Sequence, residues 1–273
     1  MKLVPFVVAA LCLTVSLSAS AKRRIVGRDA DPFAGTRSIV WFAAHPDDDA
    51  VVAPLLASLC RDRSLRCTLI VLTRGEKGDC LLTGGCRPDV ATVRSGEMGR
   101  ASEFFGANLV LLNFSDGAGL PDGSAPEWDA RAGGHDQLVA SIASLIESFE
   151  PDVVLTFDPR HGTTCHNDHR AAGKLAKEAL SKTSGSAVLY FLETRLNVST
   201  TPLLLDFKPS VAGATGLYAF RSGWSALISD MQIHRSQFDD TWVNAALQVP
   251  DAERNVYVAP ASDIEAIPVS TCP

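Results

Sequence analysis

Residues 38–49 read S-I-V-W-F-A-A-H-P-D-D-D, and this stretch decides the fold class. Residues 38–44 are almost entirely apolar, which is typical of a strand buried on both faces of a parallel sheet. Directly after it, His45 and the run Asp47–Asp49 place an imidazole and three adjacent carboxylates where the strand ends. Neighbouring carboxylates repel one another, so a bound divalent cation would explain why they stand together.

The alternation of apolar strands and helical patterns continues along the chain. Further strands are predicted over 67–73, 108–114, 153–157 and 187–193, and helices over 50–63, 90–105, 135–149, 169–181 and 223–238. This order predicts an α/β fold with a Rossmann-like, mostly parallel sheet and helices on both faces. No repeat or linker is evident, so residues 22–273 are predicted to form a single domain with a less regular C-terminal part.

The N-terminus has the pattern of a secretory signal peptide. Lys2 gives a positive start, residues 3–17 are almost entirely apolar, and residues 19–21 read A-S-A, a cleavage-site pattern. The apolar run is short for a membrane span; an uncleaved anchor is the alternative interpretation. We expect residues 1–21 to be removed and the remainder to be secreted or otherwise exported, with no membrane anchor.

Cysteine content and charge agree with export and restrict the partners. Six of the seven cysteines lie after residue 21, and an even number in an exported protein suggests disulfides. Six cysteines allow 15 connectivities; short loops favour the pairs Cys60–Cys67 and Cys80–Cys86, which would leave Cys165–Cys272. The formal charge is −6 and no basic cluster follows residues 22–24, so nucleic acid is not an expected partner.

Two N-x-S sequons occur, and they matter only where the host glycosylates. Asn113 falls in an apolar strand pattern and is expected to be buried. Asn197 is therefore the better candidate for glycosylation.

Polar segments follow the predicted strands. They are H-P-D-D-D at 45–49, R-G-E-K-G at 74–78, S-D-G at 115–117 and D-P-R-H at 158–161, which leads to C-H-N-D-H at 165–169. In open parallel sheets the ligand lies beyond the carboxyl ends of the strands, where these segments would meet. The loops 74–89 and 115–134 are long for α/β connections, and loops of this kind are usually functional.

Two of these segments together supply a set of metal ligands. Two imidazoles plus one carboxylate is a common catalytic zinc set, although other divalent metals suit it too. Structural interpretations are a turn for H-P-D-D and a helix N-cap for H-N-D-H through Asn167 or Asp168. A turn and a helix N-cap that both fall by coincidence at one edge of the sheet are a weaker explanation than a metal site. His135, His161 and His234 are interpreted as solvated or core residues.

The motifs resemble, in the same order, those of the LmbE / PIG-L family of zinc-dependent N-deacetylases. A-H-P-D-D-D at 44–49 is similar to the family's A-H-P-D-D-E, and L-T-R-G-E-K-G at 72–78 is similar to its next segment. The remaining matches are R-x-x-E at 94–97, x-D-G at 115–117, H-x-D-H at 166–169 and H-x-S-Q at 234–237. The resemblance spans about residues 38–238.

The resemblance implies a role for each residue of the metal motifs. His45, Asp48 and His169 would hold zinc. Asp47 would be the general base for the water that the metal activates. His166, in its protonated form, would stabilise the oxyanion together with the metal.

The resemblance also assigns supporting residues, with three departures from the family pattern. Arg94 and Asp116 would contact or position the substrate. Asp49 stands in place of the usual Glu, so a supporting hydrogen bond from this position must be arranged differently. Cys165 stands where many relatives have Gly, and Thr164 where some have Tyr.

The expected function is that of an exported zinc-dependent hydrolase that removes an N-acetyl group from an amino sugar or glycoconjugate. Its partner would be a small-molecule or oligosaccharide substrate, and the oligomeric state is left open. Alternatives are a metallo-amidase or esterase for a non-sugar substrate, and a catalytically silent carbohydrate-binding relative. A nucleotide-binding protein is disfavoured, because H-P-D-D-D stands where G-x-G-x-x-G would be needed.

Overall fold

Five parallel strands form the part of the sheet that positions the site. A computed structural model describes residues 31–117, 123–211, 214, 216–269 and 272, so the predicted signal peptide lies outside the described residues. The seven-stranded sheet has the order β3-β2-β1-β4-β5-β9-β8, in which β9 pairs antiparallel with both β5 and β8, and β6 and β7 form a separate hairpin. The strands are β1 (Ser38–Ala43), β2 (Arg66–Thr73), β3 (Asn108–Phe114), β4 (Val153–Phe157), β5 (Val188–Leu192), β6 (Thr194–Thr200), β7 (Leu203–Pro209), β8 (Tyr218–Phe220) and β9 (Val256–Pro260).

Helices cover both faces of this sheet, as the strand pattern predicts. They are α1 (Ala53–Leu56), α2 (Val90–Phe105), α3 (Ala125–Ala132), α4 (His135–Glu147), α5 (Gly162–Cys165), α6 (Asn167–Leu180), α7 (Trp224–Ile233), α8 (Asp240–Gln248) and α9 (Ala261–Ile264). The predicted α/β class and mostly parallel sheet are confirmed.

Alternate residues of β1 face two separate cores. Ile39 and Trp41 pack with the core that includes residues of α2, α7 and α8, whereas Val40 and Phe42 pack with the core under α3, α4 and α6. All four side chains are buried. Burial on both faces explains why the strand is apolar at successive positions. The polar residues begin after Ala43, where the strand reaches the edge of the sheet.

Several predicted boundaries differ from the structure, and the helix predicted over 223–238 already ends at Ile233. The predicted helix over 50–63 is a succession of a 3-10 turn (Ala50–Val52), α1 and a π-helical segment (Ala57–Asp62). The predicted loop over 115–134 contains α3. Helix α6 begins at Asn167, two residues earlier than expected, because the His166 side chain caps it.

The expected disulfides are confirmed in all three pairs. Cys60–Cys67 and Cys80–Cys86 close short loops, and Cys165–Cys272 joins the segment before α6 to the C-terminus over 107 residues. The last bridge adjoins two residues with positive φ, Thr163 and Cys165 itself, each at 62°. A disulfide there helps to hold a backbone conformation that L-residues rarely adopt.

Two surface expectations have different outcomes. Asn113 is exposed, so the expectation that it is buried is wrong; β3 is an edge strand and its outer side chains meet solvent. Asn197 is exposed on β6. Within the described part of the chain, no helix combines the length and the apolar character that crossing a bilayer requires.

Candidate metal centre and active site

The segments after β1, β2, β3 and β4 meet at one edge of the sheet and line a pocket of about 300 Å³. The residues that the sequence singles out for chemistry lie together there. The pocket is lined by His45, Asp47, Asp48, Arg94, Asp116, His166 and His169, together with apolar residues farther out.

Asp48 is fixed as a carboxylate whose inner oxygen faces a histidine. Its Oδ2 accepts hydrogen bonds from the backbone N–H groups of Ala44 (2.9 Å) and His45 (2.8 Å). Its Oδ1 lies 2.9 Å from His169 Nε2. Burial opposes ionisation, but the charge and hydrogen bond of His169 outweigh it and hold the pKa of Asp48 well below its usual value. Asp48 is therefore an anion at neutral pH.

The ring of His45 is oriented by carboxylates on its outer side. Its Nε2 lies 3.3 Å from Asp168 Oδ2 and 3.5 Å from Asp116 Oδ1, so Nε2 carries a proton and donates it. Its Nδ1 is 3.7 Å from Asp48 Oδ1. Burial lowers the pKa of His45, but hydrogen bonds to the three carboxylates outweigh burial and raise it well above the usual value. The surroundings of this ring favour a positive charge.

The ring of His169 is oriented in the same manner by the backbone. Its Nδ1 lies 3.0 Å from the Gly162 carbonyl oxygen, so Nδ1–H donates and Nε2 is left facing Asp48. The ring stacks on Phe157, with ring centroids 4.3 Å apart and planes 5° from parallel. The inner nitrogen of His169 is therefore aimed at Asp48.

These three residues fit a divalent metal such as zinc. Each outer polar atom is held by a hydrogen bond, and each inner atom is a carboxylate oxygen or a ring nitrogen that can bind a metal once it carries no proton, which is the arrangement found around metal-ligating histidines. Ligand atoms of His45, His166 and His169 also lie within 4.8 Å of one another. A metal ion would supply the positive charge that the buried carboxylates favour, in exchange for a proton on His45.

Asp47 lies beside this set and is oriented by Arg94. Its Oδ1 is 2.8 Å from Arg94 Nη2, and its φ of 98° is a strained value for a residue other than glycine. Burial raises the pKa of Asp47 against the opposing charge of Arg94, and the adjacent Asp48 adds to the rise. A carboxylate with a raised pKa is suited to accept a proton and return it.

Arg94 is a positioning residue in this structure. Its guanidinium is buried, donates to the carbonyl oxygens of Gly75 (3.1 Å) and Pro46, and holds Asp47. A Cβ atom at Gly75 or Gly78 would overlap the Arg94 guanidinium, which explains the glycines of R-G-E-K-G. The sequence predicts that Arg94 contacts or positions the substrate. These bonds favour a different role, which is to orient Asp47.

His166 is neutral, which differs from the expected protonated form. Its Nδ1 accepts a hydrogen bond from the Asp168 backbone N–H at 3.2 Å and thereby caps α6. Burial, followed by the charges of His169 and His45, lowers the pKa of His166 to about 4. The remaining nitrogen, Nε2, carries the proton in this tautomer, so His166 can still donate to an oxyanion. The expected N-cap residues, Asn167 and Asp168, do not perform that function.

Asp116 joins the loops after β2 and β3. It accepts from the Lys77 backbone N–H at 3.1 Å, and its own N–H donates to Glu76 Oε1 at 2.9 Å. Because it also faces His45, it orders the pocket wall from a buried position, and it lines the pocket as the sequence predicts.

Asp49 faces away from the metal ligands toward a buried histidine. Its Oδ2 lies 3.3 Å from His234 Nε2, and Asp230 approaches the same nitrogen at 3.9 Å. Burial lowers the pKa of His234, but these two carboxylates raise it to about 9. The His234 imidazolium therefore links the first motif to the H-x-S-Q motif, and Ser236 links the latter to Glu97 through a 2.9 Å backbone hydrogen bond.

Sequence reasoning did not assign two further sets of buried residues. Asp168 was read only as a cap, yet its side chain accepts from the backbone N–H groups of Gly117 and Ser124 and faces His45. A second group, called the rear cluster here, consists of Asp158, Arg160, His161 and Glu193. The D-P-R-H segment at 158–161 contains three members of the rear cluster and could have indicated it. Glu193 is distant in sequence, and only the fold brings it to the other three.

The sequence matches a family profile described as PIG-L: GlcNAc-PI de-N-acetylase over residues 40–180. One curated relative is the 1D-myo-inositol 2-acetamido-2-deoxy-alpha-D-glucopyranoside deacetylase of Gordonia bronchialis, 29% identical over 161 residues, which are 52% of this chain and 56% of that protein. The chain thus spans about half the length of the curated relatives it matches first.

Two solved structures share the fold at low sequence identity. The N,N'-diacetylchitobiose deacetylase of Pyrococcus horikoshii superposes with a TM-score of 0.59 and 16% identity, over 85% of this chain and 86% of that one. The 4-carboxy-2-hydroxymuconate hydratase GalB of Pseudomonas putida superposes with a TM-score of 0.58 and 15% identity, over 87% and 99%. Since one is a deacetylase and the other a hydratase, the fold alone does not identify the reaction.

Proposed function

The chain belongs to the PIG-L (LmbE-like) family of de-N-acetylases, and from this premise we propose that it is a metal-dependent hydrolase that removes the N-acetyl group of an amino sugar or glycoconjugate. The observation that carries the proposal is the pairing of Asp47 with the ligand set of His45, Asp48 and His169 at one pocket. A carbohydrate-binding relative without activity would have no need for a strained, oriented carboxylate at that position.

His45, Asp48 and His169 would hold the metal, with zinc the best match to two imidazoles and one carboxylate. When bound, the metal supplies a Lewis acid that polarises the amide carbonyl and makes water a stronger nucleophile. Arg94 keeps Asp47 oriented toward the pocket through the 2.8 Å ion pair.

Asp47 and His166 divide the proton chemistry of amide hydrolysis. Asp47 takes a proton from the attacking water and returns it to the nitrogen of the leaving amine. His166 donates its Nε2–H to the oxyanion that forms on the amide carbon. This donor requires the neutral tautomer that the Asp168 N–H enforces, so the hydrogen bond that caps α6 also prepares the catalytic group.

The assay that tests the proposal measures acetate release. Purified protein is loaded with zinc, its metal content is counted, and N-acetylglucosamine and its glycosides are offered with and without a chelator. We expect zinc-dependent release of acetate and free amine. A protein that holds one zinc ion per chain and releases acetate from none of these compounds would refute the deacetylase assignment.

Asp47→Asn provides the matched variant for the base. The amide keeps the shape of the side chain but cannot accept the proton, so we expect kcat to fall by about 10²- to 10⁴-fold with the metal content unchanged. Full activity with full metal content would exclude Asp47 as the base. Asp89→Asn, on the exposed N-cap of α2, is the control for the substitution itself.

We also propose that the protein acts outside the cell that makes it. The signal-peptide pattern of residues 1–21 and the three disulfides support this, because disulfides persist in oxidising compartments. Mass spectrometry of the exported protein would test cleavage after Ala21, and an intact N-terminus in that fraction would contradict it.

A further inference from the structure

The pocket that contains the proposed metal ligands also has an apolar wall. We define the apolar wall as Val51, Leu196, Val198, Phe238 and Trp242, all of which line the same pocket as the ligand set. Four of these side chains have no hydrogen-bonding group, and Trp242 has a single indole N–H. The same pocket is lined by the proposed metal ligands, so apolar and charged side chains share it.

The hairpin β6–β7 brings the aliphatic half of this wall to the pocket. Val198 pairs with Leu205 and Leu196 with Phe207, so these four side chains share one face of the hairpin. Leu205 and Phe207 are buried in the core, where Phe207 packs edge-on against Trp224 with centroids 4.9 Å apart. The same face therefore continues from the core into the pocket, where Val198 is still 39% exposed.

The aromatic half is held rigidly in place. Phe238 donates its N–H to the His234 carbonyl at 3.0 Å, and the Asp239 side chain caps α8 by accepting from the Trp242 N–H at 3.2 Å. The rings of Phe238 and Trp242 meet edge-on, with centroids 5.8 Å apart. An apolar surface that is already ordered loses little conformational entropy when a ligand covers it.

The loop closed by Cys80–Cys86 holds this aromatic half in place through hydrogen bonds. Leu81 donates its N–H to the Ser236 carbonyl at 2.9 Å, and Gln237 donates from Nε2 to the Asp79 carbonyl at 2.7 Å. Cys80–Cys86 closes the loop at this point. The Gln237 amide nitrogen is thus engaged in positioning the wall, and of the wall's own side chains only Trp242 has a group that can bind a hydroxyl.

From this arrangement we propose that the substrate is amphipathic: an N-acyl amino sugar that carries an apolar group, aliphatic or aromatic, which lies on the apolar wall while the amide lies at the metal ligands. The inference rests on the proposed deacetylase function and specifies its substrate class. A site built only for hydrophilic sugars would leave exposed valine, leucine and aromatic side chains uncovered in the complex, whereas an apolar substituent removes them from water.

The apolar group could be the aglycone or an extended acyl chain, and two substrate series distinguish these sources. The first compares methyl, butyl and phenyl N-acetylglucosaminides by acetate release. The second compares N-acetyl with N-butanoyl groups on methyl glucosaminide by carboxylate release. We expect kcat/KM to rise by about tenfold or more either from the methyl to the butyl glycoside in the first series or from the N-acetyl to the N-butanoyl compound in the second, because each buried methylene adds to binding.

The hairpin offers a matched pair of variants. Val198→Asp places a charge on the apolar wall, whereas Leu204→Asp does so on the opposite face of the hairpin, where Leu204 pairs with Ser199 and is 50% exposed. We expect Val198→Asp to abolish the preference for the apolar substituent, so that the methyl and butyl glycosides have similar kcat/KM values. Leu204→Asp should retain the wild-type preference.

Binding provides a readout that does not depend on turnover. Calorimetry with butyl and methyl glucosaminide, the deacetylated products, should show tighter binding of the butyl compound to wild type and equal binding to Val198→Asp. Equal kcat/KM and equal binding for apolar and methyl compounds would overturn the inference, as would a larger gain from a second sugar unit than from butyl. If the inference fails in one of these ways, acetate release from the methyl glycoside would still support the deacetylase function. Acetate release from none of the compounds would refute that function itself.

Discussion

Two buried groups of ionisable side chains differ in the source of their positive charge. In the rear cluster, Arg160 Nε lies 2.9 Å and 2.8 Å from the two carboxylate oxygens of Asp158, and Arg160 Nη1 donates to the carbonyl oxygens of Ile264 and Ile267. At the pocket, the carboxylates of Asp48 and Asp168 face imidazole rings. In the rear cluster the guanidinium binds the carboxylate that faces His161, whereas at the pocket Arg94 binds Asp47 and leaves Asp48 and Asp168 to the imidazole rings.

The pKa values of the rear cluster agree with a charge balance that needs no metal. Burial raises the pKa of Asp158, but Arg160 outweighs burial and lowers it below the usual value. Burial raises the pKa of Glu193. The raised pKa favours the protonated form of Glu193, so Asp158 and Arg160 form the charged pair of this cluster. A His/Asp/Glu group of metal-binding composition is therefore a structural network when an arginine pairs with its carboxylate.

The largest effect that would sharpen this comparison is expected from Asp48→Ala. Removal of a carboxylate ligand should abolish stable metal binding and reduce acetate release by about 10³-fold or more, since the metal contributes several kcal/mol to the transition state. Metal content and activity are measured on the same sample. Asp158→Asn, its counterpart in the rear cluster, should keep the metal. Metal loss from Asp158→Asn together with retention in Asp48→Ala would reverse the assignment.

The next effect is on stability and belongs to the rear cluster. Arg160→Met removes the cation and leaves the Asp158 carboxylate buried without its partner, so we expect the free energy of unfolding to fall by about 3 kcal/mol. Urea denaturation measures it, and metal content per folded chain should not change. Lys174→Met, at an exposed ion pair of α6, should change stability by less than about 0.5 kcal/mol. Similar values for the two variants would contradict the role of Arg160.

A smaller effect tests how His45 is oriented. Asp168→Asn keeps the size of the side chain but weakens the acceptor for His45 Nε2–H, and we expect metal affinity to fall by about 10- to 100-fold. Competition with a chromophoric chelator measures the affinity, and urea denaturation shows whether the fold is intact. Unchanged affinity in a folded variant would mean that Asp168 serves only the loop of Gly117 and Ser124.

The smallest effect is the pH dependence that Glu193 contributes. Its folded pKa is raised, so the folded state holds a proton that the unfolded chain releases, and stability should decrease as pH rises from about 4.5 through the folded pKa. Glu193→Gln imitates the protonated form and should cost less than about 1 kcal/mol while it removes this slope. Unfolding free energies of both proteins across pH 4 to 8 provide the measurement, and equal slopes would show that Glu193 is ionised.

The central strands could be read from the sequence because their local pattern and their environment agree. Strands buried on both faces need apolar residues at every position, and Asn108–Phe114 and Val153–Phe157 were predicted with the boundaries that the structure has. Helix α3 was missed because Gly and Pro around it indicate loops, while the burial of Trp128 that stabilises it is a tertiary contact.

Residue types and spacing alone identified the polar edge of the sheet, because in a parallel sheet the carboxyl ends of the strands must meet at one side. Only the tertiary structure decided the state and partner of each group. Asp168 reaches His45 across 123 positions of sequence, and the Asp168 backbone N–H makes His166 a neutral cap where a cation was expected. Arg160 distinguishes the rear cluster from a metal site. Protonation and charge balance depend on distances of a few ångströms and on burial, and the fold creates both.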